Sequence, residues 1–397
     1  MKDLKILILI SNEIKIPNYF YENFIFLSSE FGDIHIVNVK NILKKKFNKF
    51  NNKIKFKNFI YNEINNKNDL YNFLCSKNFI LLNILDRSLK FHSINRLIKK
   101  TKTPNIIISD TGYVPENILF LKKKFFKSSL NLINYKINYY LYRLFTILRI
   151  YPQIELFLES SNTTINMINN GISKKIDKFL NFPLLSYYKN LSHINSKHVL
   201  NISKKSKNKI ISFLETPINH PDRVKREGKA PKNLENNYYK NLNNFLNFIQ
   251  KIYKMKIIIC AHPFSNITYL KKKLKNFKIE KYKTEKYISK SELVIFHQSS
   301  AVIQAICEKK KIINLLSRDM GEFLSYRNEI YNKYLNFVKF DITKKYKLNK
   351  NELDKKLKSK INNYSNYIKS NIISNKKVSH NDQIIIEIKK YFNNFKK

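Results

Sequence analysis

Short apolar runs alternate with longer amphipathic stretches along the chain, the rhythm of an α/β protein. Leu4 to Ile10 is almost unbroken in its apolar character, as expected of a parallel strand buried on both faces, and it stops at Ser11-Asn12-Glu13. From Pro17, the residues Phe20, Phe24, Leu27 and Phe31 recur at helical spacing and Gly32 follows, so a helix is predicted between proline and glycine. Asp33 to Val39 makes a second strand and completes a right-handed βαβ unit. Phe79 to Leu85 and Asn105 to Ser109 repeat the strand pattern around a helix over Ser88 to Lys100. Glu155 to Leu158 adds a strand, and Ser160-Ser161-Asn162-Thr163 caps a helix that Gly171 closes. Residues 172–208 have no clear period and read as a last strand and a linker.

Lys209 to Leu214 opens a second series. Ile257 to Cys260, Leu293 to Phe296 and Ile312 to Leu315 are short, apolar and β-branched. Leu234 to Tyr253 is a helix with Tyr238, Leu242, Phe245, Leu246 and Ile249 facing inward, and Ala301 to Cys307 is another, with Ser299 or Ser300 as its N-cap. Met320 to Tyr334 reads as helix, Asn336 to Phe340 as strand, 341–376 as polar helices and loops, and Asp382 to Phe395 as a closing helix. The expected fold is α/β: two doubly wound, Rossmann-like domains over residues 1–195 and 196–378, with 379–397 packing back on the first. The Lys/Asn-rich runs at 44–68 and 341–379 are biased in composition rather than repetitive.

Charge changes the picture less than its size suggests. With 75 Lys and Arg against 29 Asp and Glu, the formal charge is +46, which by itself points to nucleic acid or an anionic membrane. The cations, however, are 67 Lys and only 8 Arg spread along the chain, whereas base-edge readout relies on Arg forks. No nucleic-acid-binding module is recognisable, so a Lys-rich nucleic-acid-binding protein is the remote alternative and nucleic acid is not an expected partner. Residues 118–150 interleave aromatics, Leu and Ile with Lys and Arg at helical spacing. Such a stretch suits an anionic bilayer surface or, equally, a helical pair covering the sheet. Cys75, Cys260 and Cys307 show no CxxC spacing, which fits free thiols in a reducing compartment. The start of the chain reads as a first strand rather than a signal peptide, and no apolar run approaches the about eighteen residues of a membrane span. A cytoplasmic protein, peripheral at the inner face of the membrane, is expected.

Candidate chemistry gathers at the predicted strand ends, where open parallel sheets bind ligands. In the second half these ends are Glu215-Thr216, Ala261-His262-Pro263, His297-Gln298-Ser299-Ser300 and Ser317-Arg318-Asp319. Hydroxyls beside a helix start suit a phosphate, and Arg223 and Arg318 would add guanidinium forks. Three of the four alanines in the chain, Ala261, Ala301 and Ala305, lie in this stretch, a packing signature of close approach. In the first half, Glu13, Asp86 and Asp110 stand at strand ends, where a carboxylate either caps the next helix or takes a proton from a hydroxyl nucleophile.

Two Rossmann-like halves with these motifs resemble a GT-B glycosyltransferase. Ala261-His262-Pro263 is similar to the HP motif, and His297-Gln298-Ser299-Ser300 to the Ser-Ser motif, of bacterial sialyltransferases and capsule Kdo transferases. The resemblance implies two domains facing across a cleft and a CMP-sugar whose phosphate and ribose are cradled by His262, Pro263, His297, Gln298, Ser299 and Ser300. Glu215, Thr216, Arg223 and Arg318 complete the expected donor set. It also implies a nucleotide-sugar donor with a surface polysaccharide or lipid-linked glycan as acceptor, and no metal or other cofactor. An acidic-acidic-Gly motif supplies the base in sialyltransferases; here Asp110-Thr111-Gly112 has Thr in the second acidic place, so Asp110, Glu13 and Asp86 all stay candidates. Glycerophosphotransferases of teichoic acid synthesis have similar segments. They and a nucleotide-sugar epimerase on the same fold are the alternatives.

Overall fold

Buried apolar strands set the architecture. The structure is a computed structural model that describes residues 4–10, 25–43, 59–76, 78–83, 85, 89–109, 137–138, 140–142, 144–145, 148–152, 156–159, 179–181, 210–346, 348–371, 382, 385–386 and 388–390. In its first part, β1 (Leu4–Ile10), α1 (Ile25–Phe31), β2 (Ile34–Asn38), β3 (Phe59–Glu63), α2 (Lys67–Cys75), β4 (Asn78–Asn83), α3 (His92–Lys100), β5 (Asn105–Ser109), β6 (Leu156–Glu159) and β7 (Phe179–Asn181) follow in order. The strands form one parallel sheet in the order β3-β2-β1-β4-β5-β6-β7. Ile6, Leu7, Ile8 and Leu9 of the central strand are all fully buried, so both faces of β1 are covered. Gly32 ends α1 in the left-handed region at φ 70°.

The Lys/Asn-rich connection hid two elements. β3 is an edge strand with one buried residue in five, so no apolar run marks it. α2 is capped by Asn66, whose side chain accepts from Asp69 N–H at 2.9 Å and donates to the Asp69 carboxylate at 2.7 Å.

The second sheet is built the same way. It contains β8 (Ile210–Leu214), α4 (Pro221–Glu227), α5 (Lys232–Tyr253), β9 (Ile257–Ala261), α6 (Ile267–Lys273), β10 (Lys278–Lys281), α7 (Thr284–Lys290), β11 (Ser291–Phe296), α8 (Val302–Cys307), β12 (Lys311–Leu316), α9 (Glu322–Leu335), β13 (Val338–Asp341) and α10 (Lys350–Asn371). All neighbours are parallel, in the order β10-β9-β8-β11-β12-β13. The inward stripe predicted for α5 is buried against the sheet, and each such side chain withdrawn from water contributes about 1.5 to 3 kcal/mol. Four elements were not foreseen: α4, α6, β10 and α7 are short and largely polar, and β10 is another edge strand. At α8 the N-cap is Ala301 in a helical conformation with no side-chain cap, not Ser299 or Ser300.

The chain divides into two compact units. One holds the first sheet and takes in Ile373–Lys397; the other holds the second sheet within Ile194–Ile372. In the closing segment Asp382, Ile385, Ile386, Ile388, Lys389 and Lys390 are helical, Ile385 and Ile388 are buried, and Lys389 pairs with Glu30 of α1.

Candidate functional site

The loops leaving the carboxyl ends of parallel strands lie side by side, and a crevice opens where the strand order reverses. In the second sheet that place is between β8 and β11, because the other neighbour of β8 is β9. Leu214 pairs with both Cys260 and Phe296, so the residues that follow, Glu215, Ala261-His262 and His297, reach one edge together.

Two consecutive residues after β8 tie the flanking loops down. Glu215 Oε2 accepts from the His262 backbone N–H at 2.9 Å and from the Ser265 hydroxyl at 2.6 Å. The Thr216 hydroxyl donates to the Gln298 backbone carbonyl on the other side. Burial pushes the Glu215 carboxyl up to about 7, against the opposing pull of its two hydrogen bonds and of Lys281. Its second oxygen, Oε1, is buried without a hydrogen-bond partner.

His262 is half-buried, and Pro263 beside it is exposed. Its Nδ1 accepts from Phe264 N–H at 3.2 Å, which in the neutral ring puts the proton on Nε2 and makes that nitrogen a donor. The ring meets His220 edge-on at a centroid distance of 5.1 Å and Phe264 at 5.3 Å; Phe264 is 49% exposed. Ser299 and Ser300 are half-buried, and the Ser299 hydroxyl accepts from Ala301 N–H at 3.3 Å.

Two expected donor ligands are enclosed instead. His297 is 1% exposed, its Nδ1 donates to Leu315 O at 2.9 Å, and its ring lies 5.4 Å from Tyr238 and 6.0 Å from Phe213. Burial pushes it down to about 4, so it is neutral at pH 7. The alternation of strand side chains explains this placement, because 293, 295 and 297 share a face and that face is packed under α5. Arg223 is also buried: Nε donates to Glu227 at 3.2 Å and Nη1 to Ile218 O at 3.0 Å. Its neighbour Glu227 accepts from Phe323 N–H in the first turn of α9. Arg223 therefore fixes α4 and α9 and offers no fork to a phosphate. Arg318, by contrast, is exposed just after β12.

Arg327, with Arg223, Arg226 and Arg318 one of four arginines that the sequence places in or near the strand ends of the second half, bonds a side chain of the loop after β11. The Gln298 amide, oriented with its oxygen toward α9, accepts from Arg327 Nε and Nη1 at 2.8 and 2.9 Å, and the guanidinium lies 5.6 Å over the Phe323 ring. The rarity of arginine in this chain was the available signal. The carboxylates Glu13, Asp86 and Asp110 lie outside the described residues.

Two α/β units, each with a parallel sheet in Rossmann-like strand order, define the GT-B fold. No protein-family model and no curated protein matches the chain. Solved structures do. The wall teichoic acid polymerase TagF is similar at 14% identity and a TM-score of 0.56, over 99% of this chain and 90% of that one. The calicheamicin glycosyltransferase CalG4 is similar at 7% identity and 0.51, over 100% of both chains. A Listeria monocytogenes protein named for UDP-N-acetylglucosamine 2-epimerase is similar at 10% and 0.51, over 99% and 97%. At these identities the likeness establishes the fold.

Proposed function

We propose that the chain is a glycosyltransferase that moves a sugar from a nucleotide donor, of the CMP-linked sialyl or Kdo type, to a surface polysaccharide or lipid-linked glycan. The observation that carries this reading is the pair Glu215-Thr216, which holds the His262 loop and the Gln298-Ser299-Ser300 loop at neighbouring strand ends. In the reaction an acceptor hydroxyl attacks the anomeric carbon as the bond to the donor phosphate breaks. The proton goes to a carboxylate, for which Asp110, Glu13 and Asp86 are the candidates. The imidazole of His262 and the hydroxyls of Ser299 and Ser300 then take up the charge on the leaving phosphate, with Arg318 adding a cation and no metal invoked.

A thermal-shift panel of CMP, CDP, UDP, GDP and dTDP tests the donor. A nucleotide at 100 times its dissociation constant stabilises the fold by about 2.7 kcal/mol, and CMP is expected to give the largest shift. A panel in which none of the five moves the melting temperature removes the nucleotide reading. A second reading, a glycerophosphotransferase, draws support from the likeness to TagF. Product analysis separates the two, and an epimerase would consume no acceptor.

The partner surface proposed for this enzyme is an anionic bilayer. Ile137, Tyr140, Leu144 and Leu148, at helical spacing, are 50%, 50%, 46% and 57% exposed, in a chain of formal charge +46. Among the described residues no helix is long and apolar enough to cross a membrane. The chain is expected to sediment with phosphatidylglycerol vesicles but not phosphatidylcholine vesicles, and Leu144→Glu to weaken that binding. Equal recovery with both lipids would count against it.

A further inference from the structure

We infer that Glu215 and Thr216 are positioning residues: they set the separation of the His262 loop and the Ser299-Ser300 loop, and the donor meets those loops rather than the pair. The inference rests on the nucleotide-donor reading above. Both residues are only 3% exposed, too deeply placed to serve as first contacts for a ligand. Glu215 Oε2 and the Thr216 hydroxyl are instead committed in opposite directions, the first to the turn after β9 and the second to the turn after β11.

Other ties of the turn after β9 run within the turn and to β10. Ser265 N–H reaches back to His262 O at 2.9 Å, Phe264 N–H bonds the His262 ring at 3.2 Å, and Lys281 of β10 donates to Ser265 O at 3.1 Å. From the segment after β8 the His220 ring meets His262 edge-on at 5.1 Å, and Glu215 bonds the turn's backbone N–H. One carboxyl oxygen accepts both the His262 backbone N–H and the Ser265 hydroxyl, so Glu215 fixes this turn at two points. Thr216, one residue on, registers the neighbouring loop from the same point of chain. A displacement of either loop would then move the imidazole relative to the two hydroxyls, and misplacement by about 1 Å can cost about 100-fold in rate.

The test pairs a disruptive with a conservative change at each position. Glu215→Ala and Thr216→Val are expected to lose about 100-fold in kcat/KM, with faster amide exchange over residues 262–265 and 298–301 respectively. Glu215→Gln keeps an acceptor oxygen and Thr216→Ser keeps the hydroxyl, so both are expected to restore slow exchange and most of the activity. Unchanged exchange in the disruptive variants overturns the inference. So does a Glu215→Gln variant with wild-type exchange and the activity of Glu215→Ala, because the carboxylate would then itself contact the donor. Should Glu215→Ala not fold, Ser265→Ala removes one donor to the carboxylate and is read by the same exchange over 262–265. A wild-type protein that binds no nucleotide sinks the donor reading, while the exchange comparison still decides whether the pair holds the loops.

Discussion

Turnover by His262→Ala is expected to fall about 100- to 10,000-fold while the melting temperature changes little. The two halves of this expectation have separate causes. His262 holds its place through its backbone N–H to Glu215, a bond that survives the substitution, and its half-buried ring takes the Phe264 N–H at 3.2 Å and meets the rings of His220 and the exposed Phe264. Fold stability therefore depends little on the imidazole. The chemistry depends on it heavily, because with Nδ1 occupied the ring presents Nε2 as a donor toward a leaving phosphate. Steady-state kinetics with the nucleotide class chosen by thermal shift, together with a circular-dichroism melt, checks both halves. A folded His262→Ala enzyme with wild-type kcat and KM would remove this loop from the mechanism.

The second large effect is on stability. Gly321→Ala is expected to cost about 3 kcal/mol or more. Gly321 sits at φ 86° and ψ 167°, a region almost confined to glycine, at the entry to α9. A Cβ there would overlap Glu227 Oε2 and lie 2.5 Å from Arg223 Nε. That ion pair cannot easily give way, since Arg223 is buried and also bonds Ile218 O, and Glu227 caps the Phe323 N–H. Gly228→Ala is the internal control: Gly228 also has positive φ, at 81°, but nothing lies within 4 Å of its Cβ position. Urea unfolding of both variants isolates the steric part from the backbone strain. If Gly321→Ala costs no more than Gly228→Ala, the packing of the Arg223–Glu227 pair against this glycine is unimportant. Because α9 also carries Arg327, which holds Gln298, the same change is expected to lower activity.

The legible parts of the fold were those whose burial shows in composition. β1, β8, β9, β11 and β12 are covered on both faces, and so their apolar runs were visible without any knowledge of neighbours. β3 and β10 are edge strands with one buried residue and none, and only pairing with β2 and β9 makes them strands. α2 lay in a Lys/Asn-rich stretch, although Asn66 and Asp69 three residues apart were a capping signal that composition masked.

The same distinction runs through the candidate site. That chemistry gathers after β8, β9 and β11 could be read from where apolar runs give way to His, Glu, Thr and Ser. Which way each side chain turns could not, because a strand apolar on both faces carries no alternation to orient its last residue. His297 and Arg223 looked like ligands and are core and strut, while Glu215 and Thr216 hold the two loops from beneath.

Linear order thus determined the α/β class, the positions of the central strands and the loops that bear reactive groups, since hydrophobic burial acts residue by residue and leaves its mark on composition. Tertiary structure alone decided strand order, edge strands and the partners of Glu215, Thr216, Arg223 and Arg327. Those partners lie from 4 to 82 residues away, and a hydrogen bond between polar groups far apart in the chain has no signature in either stretch of sequence until the sheet brings them together.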